Sequence, residues 1–116
     1  MSSGYYLTIR IESDLKTDFS KFCNRCGITL SLAVRLLIKQ TIAKNRIPFQ
    51  INELYERQAY LLSKQDSRIS IRLDCETKDQ FNDICNHTGI SMGQLIKLYM
   101  VHCIKSGELI LYQRRK

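Results

Sequence analysis

One proline and five glycines in 116 residues are too little turn-forming material for long irregular loops. No apolar run approaches the roughly 18 residues a membrane span needs. The longest, such as Leu98 to Val101, amount to one turn of helix. The opening MSSGYYLTIRIESD lacks the basic-then-apolar layout of a secretory signal, so the chain reads as cytoplasmic, with no membrane partner. No Gly-rich phosphate loop, HExxH or nucleophile elbow occurs. We therefore expect a non-enzyme with no catalytic residue, no metal and no cofactor. Acidic residues are also scarce: 11 Asp and Glu face 18 Lys and Arg, a net charge of +7.

What is present describes one small domain's worth of ordinary globular chain. At 44% hydrophobic and 25% charged, bulk disorder and fibrous classes are excluded. The five cysteines are an odd number, which in a reducing compartment reads as thiols rather than disulfides. Positive charge is concentrated at +5 in residues 1–49 and +3 in residues 68–116, with −1 between. That balance favours a polyanionic partner, nucleic acid or an anionic surface, without choosing between them.

Sliding the chain against itself by 62 residues places residues 6–49 on 68–111 without a gap. Ten of the 44 pairs are identical, among them Ile9/Ile71, Arg10/Arg72, Lys16/Lys78, Phe19/Phe81, Cys23/Cys85 and Gly27/Gly89. This is an internal duplication. Each copy opens with period-two alternation. Leu7, Ile9 and Ile11 interleave with Tyr6, Thr8 and Arg10, and Ile69, Ile71 and Leu73 with Arg68, Ser70 and Arg72. Such alternation predicts a half-buried strand.

A helix is expected directly after each strand. In the first copy Ser13 is the expected N-cap, and Leu15, Phe19, Phe22, Cys23 and Cys26 form one apolar stripe. Phe81, Ile84 and Cys85 repeat it. Gly27 and Gly89 stand where a left-handed helix end favours glycine. Second helices are expected from Thr29 or Ser31 and from Ser91, where Gln94 completes capping-box spacing. LSLAVRLLIKQTIA and GQLIKLYMVHCI are apolar on most faces, which predicts burial against more than one neighbour.

One strand and two helices cannot bury this surface alone, and a lone strand has no ladder partner. The expected organisation is a first unit at 1–49, a helical linker at 50–67 and a second unit at 68–116 ending in a basic tail. The linker helix would be capped by Asn52 and pack Leu54, Tyr55, Ala59 and Leu62 on the body. ELILY would form a short extended segment before QRRK. The fold class is mainly α with a two-stranded antiparallel β-ribbon: two fused β-α-α units forming a pseudo-dimer. The linker is long enough for the two strands to pair within one chain.

Strand, helix, glycine turn and helix, twinned, resemble the ribbon-helix-helix superfamily of DNA-binding proteins. In the first copy, IESDLK followed by GITLSLAVRLLIKQTIAKNRIPF resembles the RelB/DinJ antitoxin branch; the second copy is more diverged and lacks the terminal Pro-Phe. The resemblance implies an antiparallel ribbon in the DNA major groove and a phosphate held at the start of each second helix. The pleat of this sequence agrees. If the aliphatic set faces the core, Tyr6, Thr8, Arg10, Arg68, Ser70 and Arg72 all face the other way, a cationic surface that can read base edges. The first amides of the second helices, at Thr29, Leu30 and Ser31 and at Ser91, Met92 and Gly93, are the expected phosphate donors. The ribbon positions are not all the same in the two copies, since Tyr6 aligns with Arg68 and Thr8 with Ser70, so the target need not be a palindrome.

Cys23-x-x-Cys26 suggests zinc or redox chemistry, but both residues fall on the apolar stripe and Cys26 aligns with Thr88, which favours packing. His87 and His102 have no ligand spacing. His87, near a helix end, reads as a surface or capping residue. The expected function is sequence-specific binding of double-stranded DNA as a transcriptional repressor, with possible self-association on DNA. Two alternatives stay open: an accessory protein of plasmid transfer or partition with a relaxase partner, and an antitoxin that neutralises a partner toxin.

Overall fold

The computed structural model describes residues 5–51, 59–107 and 109. Strand β1 (Tyr5–Ile11) leads into helix α1 (Ser13–Cys26) and helix α2 (Leu30–Lys44). A single-turn helix α3 (Ala59–Leu62) precedes β2 (Ser67–Leu73), α4 (Cys75–Thr88) and α5 (Met92–Ser106). The chain is therefore two β-α-α units, and the strands pair antiparallel with each other within the one chain. Thr8 stands opposite Ser70, its own counterpart in the repeat. A pseudo-two-fold axis thus passes between these two residues, and every other pair is related by it.

Pleating sorts the strands as their alternation requires. Leu7, Ile9, Ile11, Ile69, Ile71 and Leu73 are buried, whereas Tyr6, Thr8, Arg10, Arg68, Ser70 and Arg72 are exposed. The helices pack across the duplication: α1 lies chiefly on α5, and α4 on α2. Neither unit has a core of its own. One hydrophobic cluster runs through both, including Leu15, Phe19, Leu37, Ile38, Phe81, Leu95, Leu98 and Tyr99. Burying each such side chain contributes roughly 1.5–3 kcal/mol, which only the twinned arrangement can collect.

Local signals end the helices where glycine was expected. Gly27 and Gly89 take the left-handed conformation at φ 81° and 87° and close α1 and α4. The second helices start at Thr29 and Ser91, whose hydroxyls accept from the amides of Leu32 and Gln94, each at 3.1 Å. Of the two starts weighed for α2, the threonine provides the cap.

The start of α1 differs from expectation. Glu12, not Ser13, occupies the N-cap position, and its side chain turns inward instead of capping. Ser13 is the first helical residue, and its amide donates to Asp66 Oδ1 at 3.1 Å. The cap comes from the lead-in to the other strand. In the second unit Asp74 caps its own helix by accepting from Thr77 N.

The two second helices are not equally enclosed. Helix α5 buries eight residues and α2 five. Both helices pack against more than one neighbour as expected, α2 against α4, α1 and β2 and α5 against α1, α4 and β1, but α2 leaves Leu32 exposed and is the less enclosed of the two. The cause is the chain leaving α2: the Phe49 ring lies 5.8 Å from Tyr99 and 5.2 Å from His102, covering α5 on one side. Two packing assignments are corrected. Cys26 is exposed rather than part of the α1 stripe, because the last turn runs past the edge of the core. Leu62 is 75% exposed, whereas its neighbour Leu61 packs against the core. Asn52, Leu54, Tyr55, the Ala59 side chain, the QRRK tail and all of ELILY except Leu109 lie outside the described residues. Leu109 packs against the core.

Candidate nucleic-acid interface

The pleat presents the six outward side chains as three cross-strand rows: Tyr6 with Arg72, Thr8 with Ser70, and Arg10 with Arg68. The central row lies on the pseudo-dyad, and its two hydroxyls are hydrogen-bonded to each other at 3.0 Å. All six residues proposed from alternation share this one exposed face. Its reverse is the core, so the ribbon is a rigid platform rather than a flexible arm.

The platform is braced symmetrically by two residues that alternation alone does not reveal. Lys16 of α1 donates to the Arg68 carbonyl at 3.0 Å, and Lys78 of α4 to the Tyr6 carbonyl at 3.4 Å. Each lysine crosses from its own unit to the start of the other unit's strand. They are one of the ten identical pairs in the duplication, and that identity is the signal that marks them. A third brace comes from the ribbon itself: Arg10 Nη2 donates to the Gln65 carbonyl at 3.1 Å, just before β2.

The starts of α2 and α5 flank the ribbon. Gly93 stands so near Ile9 that an added Cβ would lie 3.4 Å from its Cγ2, so α5 begins directly beside β1. The amides of Leu32 and Gln94 are taken by the caps, and those of Ala33 and Leu95 by the carbonyls of Thr29 and Ser91. The earlier first-turn amides, on Leu30 and Ser31 and on Met92 and Gly93, are the ones helix geometry leaves open to an anion. Thr29 and Ser91 contribute exposed hydroxyls beside them.

A family comparison now bears on these two units. The model of the RelB antitoxin family matches the chain twice, over residues 5–68 and 66–115. The chain belongs to the RelB antitoxin family. No curated protein and no solved structure matches it. Each match spans one β-α-α unit, so both halves of this RelB-family chain carry the family's pattern, including the more diverged second half.

The cysteines and histidines stand apart from the ribbon. Cys23 and Cys85 are buried, and burial pushes both thiols up to about 11, with Cys26 adding to the shift at Cys23. Such thiols are poor nucleophiles and poor ligands. Among the described residues no group of three or more His, Cys, Asp or Glu is placed to hold a metal ion. His87 is exposed, its Nδ1 2.9 Å from the Asp83 carbonyl, and the His102 ring lies tilted against Phe49. Among the described residues no single helix is long and apolar enough to cross a membrane.

Proposed function

We propose that this RelB-family protein is a ribbon-helix-helix protein that binds double-stranded DNA sequence-specifically and represses transcription, without a catalytic step. One observation carries the reading: six side chains, three of them arginines, share an exposed face whose opposite side is buried core. A two-stranded ribbon fits the major groove, where arginine pairs bidentately with guanine and Ser or Thr meets either base type. The open amides at the starts of α2 and α5 supply phosphate contacts that set the ribbon's register on the duplex. The surplus of 18 basic over 11 acidic residues favours approach to the polyanion.

The test is titration of a duplex selected from random sequence against its scrambled form at several salt concentrations. Both affinities should fall steeply with salt, with a slope of about −0.9 per neutralised phosphate, while their ratio persists. Equal affinity at every salt would reduce the protein to a generic polyanion binder.

The family match favours a second activity alongside the first: binding and neutralising a protein toxin. Co-expression with a small toxin encoded beside the gene should restore growth. Continued growth arrest, with no complex on co-purification, would remove this activity and leave the DNA reading intact.

A further inference from the structure

The two ends of the ribbon are chemically different, and the pairing register shows how. In a symmetric dimer of the first unit each end would carry one tyrosine and one arginine. Here one end carries Tyr6 opposite Arg72, and the other carries Arg10 directly opposite Arg68. The difference arises at a single pair of repeat positions, because Tyr6 aligns with Arg68 while Arg10 and Arg72 are identical. The central pair, Thr8 and Ser70, is nearly symmetric and ties its own hydroxyls together.

Like charges directly opposite on a sheet face are destabilising, so folding gains nothing from the Arg10–Arg68 row. The structure nonetheless steadies it. The Gln65 carbonyl accepts from Arg10 Nη2 and holds that guanidinium at the edge of the row. Two donor-bearing guanidinium side chains on directly opposite strand positions match a surface that offers only acceptors. In the major groove that surface is guanine, with N7 and O6, whereas adenine sets a donor beside its acceptor. The Tyr6–Arg72 end offers one such guanidinium and one phenol, whose ring suits a thymine methyl and whose hydroxyl donates or accepts. Rows repeat every two residues, roughly 7 Å or about two base-pair steps along the groove.

We propose that the chain reads a directional, non-palindromic duplex: two neighbouring guanines under the Arg10–Arg68 row and, about four base pairs away, one guanine beside an A·T pair under the Tyr6–Arg72 row. This rests on the DNA-reading function above and adds the identity and polarity of its target. Arg68 is the specificity-determining residue that breaks the symmetry.

Selection of random duplexes with the full-length chain tests it, repeated with Arg68→Tyr and with Tyr6→Arg. Both changes are at exposed positions, and circular dichroism checks that each variant is folded. The unmodified chain should return a non-palindromic motif. Arg68→Tyr makes the tyrosine and arginine positions of the two strands identical, so its motif should become a palindrome of the tyrosine-arginine half. Tyr6→Arg should give a palindrome of the two-guanine half. Replacing either guanine in the two-guanine half should weaken binding by the unmodified chain about tenfold or more, and binding by Arg68→Tyr much less. A palindromic motif from the unmodified chain, or one that Arg68→Tyr leaves unchanged, would overturn the inference while DNA reading stands. Recovery of no motif from the folded protein would overturn both.

Discussion

Glu12 and Lys97 meet at 3.6 Å in the interior, with both side chains almost wholly removed from water. Their repeat counterparts are arranged differently. Asp74 stays at the surface and caps α4, and Arg35 is half-buried. The first unit has thus traded a helix cap for an internal ion pair, and Asp66 supplies the missing cap from across the ribbon. Glu12 Oε1 has no hydrogen-bond partner among the described residues, so the pair is not fully satisfied.

Breaking that pair on one side should be costly. Lys97→Ala leaves a buried carboxylate without its cation and should reduce stability by about 3–5 kcal/mol in urea unfolding. Replacing both residues with apolar ones, Glu12→Leu with Lys97→Met, should recover most of the loss. A single variant as stable as the parent would mean the two groups are solvated and not coupled.

Much of this architecture is legible without coordinates, and the reason is periodicity. Ile9/Ile71 and Arg10/Arg72 repeat at one offset inside strands of period two, so the buried and exposed faces of the ribbon follow from a single pattern. What is not legible depends on contacts between distant segments. Asp66 reaches Ser13 across 53 residues, and nothing near Ser13 announces it. Cys26 continues the helical stripe in sequence but projects past the edge of the core. Leu62 and Leu61 are equivalent by composition, and only the direction in which α3 leaves the chain selects Leu61. The extra burial of α5 over α2 likewise comes from Phe49, a residue of the other unit.

That last contact is testable. Phe49 is buried against Tyr99 and His102, so Phe49→Ala should cost about 3–5 kcal/mol by thermal or urea unfolding. The counterpart position, Leu111, lies outside the described residues. A loss well under 1 kcal/mol would mean that the chain after α2 does not cover α5.

Thiol chemistry should divide the cysteines. Cys26 and Cys75 are exposed, whereas Cys23, Cys85 and Cys103 are buried. In native protein two thiols should react promptly with a disulfide reagent at pH 8, and the other three only after unfolding. Prompt reaction of all five would contradict the packing of α1 on α5 and of α4 on α2 and α5.

Acid should weaken the fold through two caps. Asp66 is held below its ordinary value of 3.8 by hydrogen bonds from the Ser13 amide and hydroxyl, and Asp74 below the same value by those from Thr77. A carboxyl whose folded pKa is depressed stabilises the fold above its unfolded pKa, and that contribution is lost as pH falls through the folded value. Unfolding midpoints should therefore decline below about pH 4. The paired change Asp66→Ala with Asp74→Ala should lower the midpoint at neutral pH and flatten the decline. Both carboxylates are exposed, so solvent screening keeps the effect small. An unchanged acid slope in the double variant would assign the decline to other groups.

The most direct test of the ribbon as the DNA reader is competition binding by the paired variant Arg10→Ala with Arg72→Ala. Both side chains point away from the core, so helical content should match the parent, and loss of the exposed Arg10–Gln65 hydrogen bond should lower the melting temperature only slightly. Discrimination between the selected duplex and its scrambled form should collapse, each arginine contributing about 1–3 kcal/mol of preference. Undiminished discrimination in the folded double variant would contradict the account and place DNA reading elsewhere on the molecule.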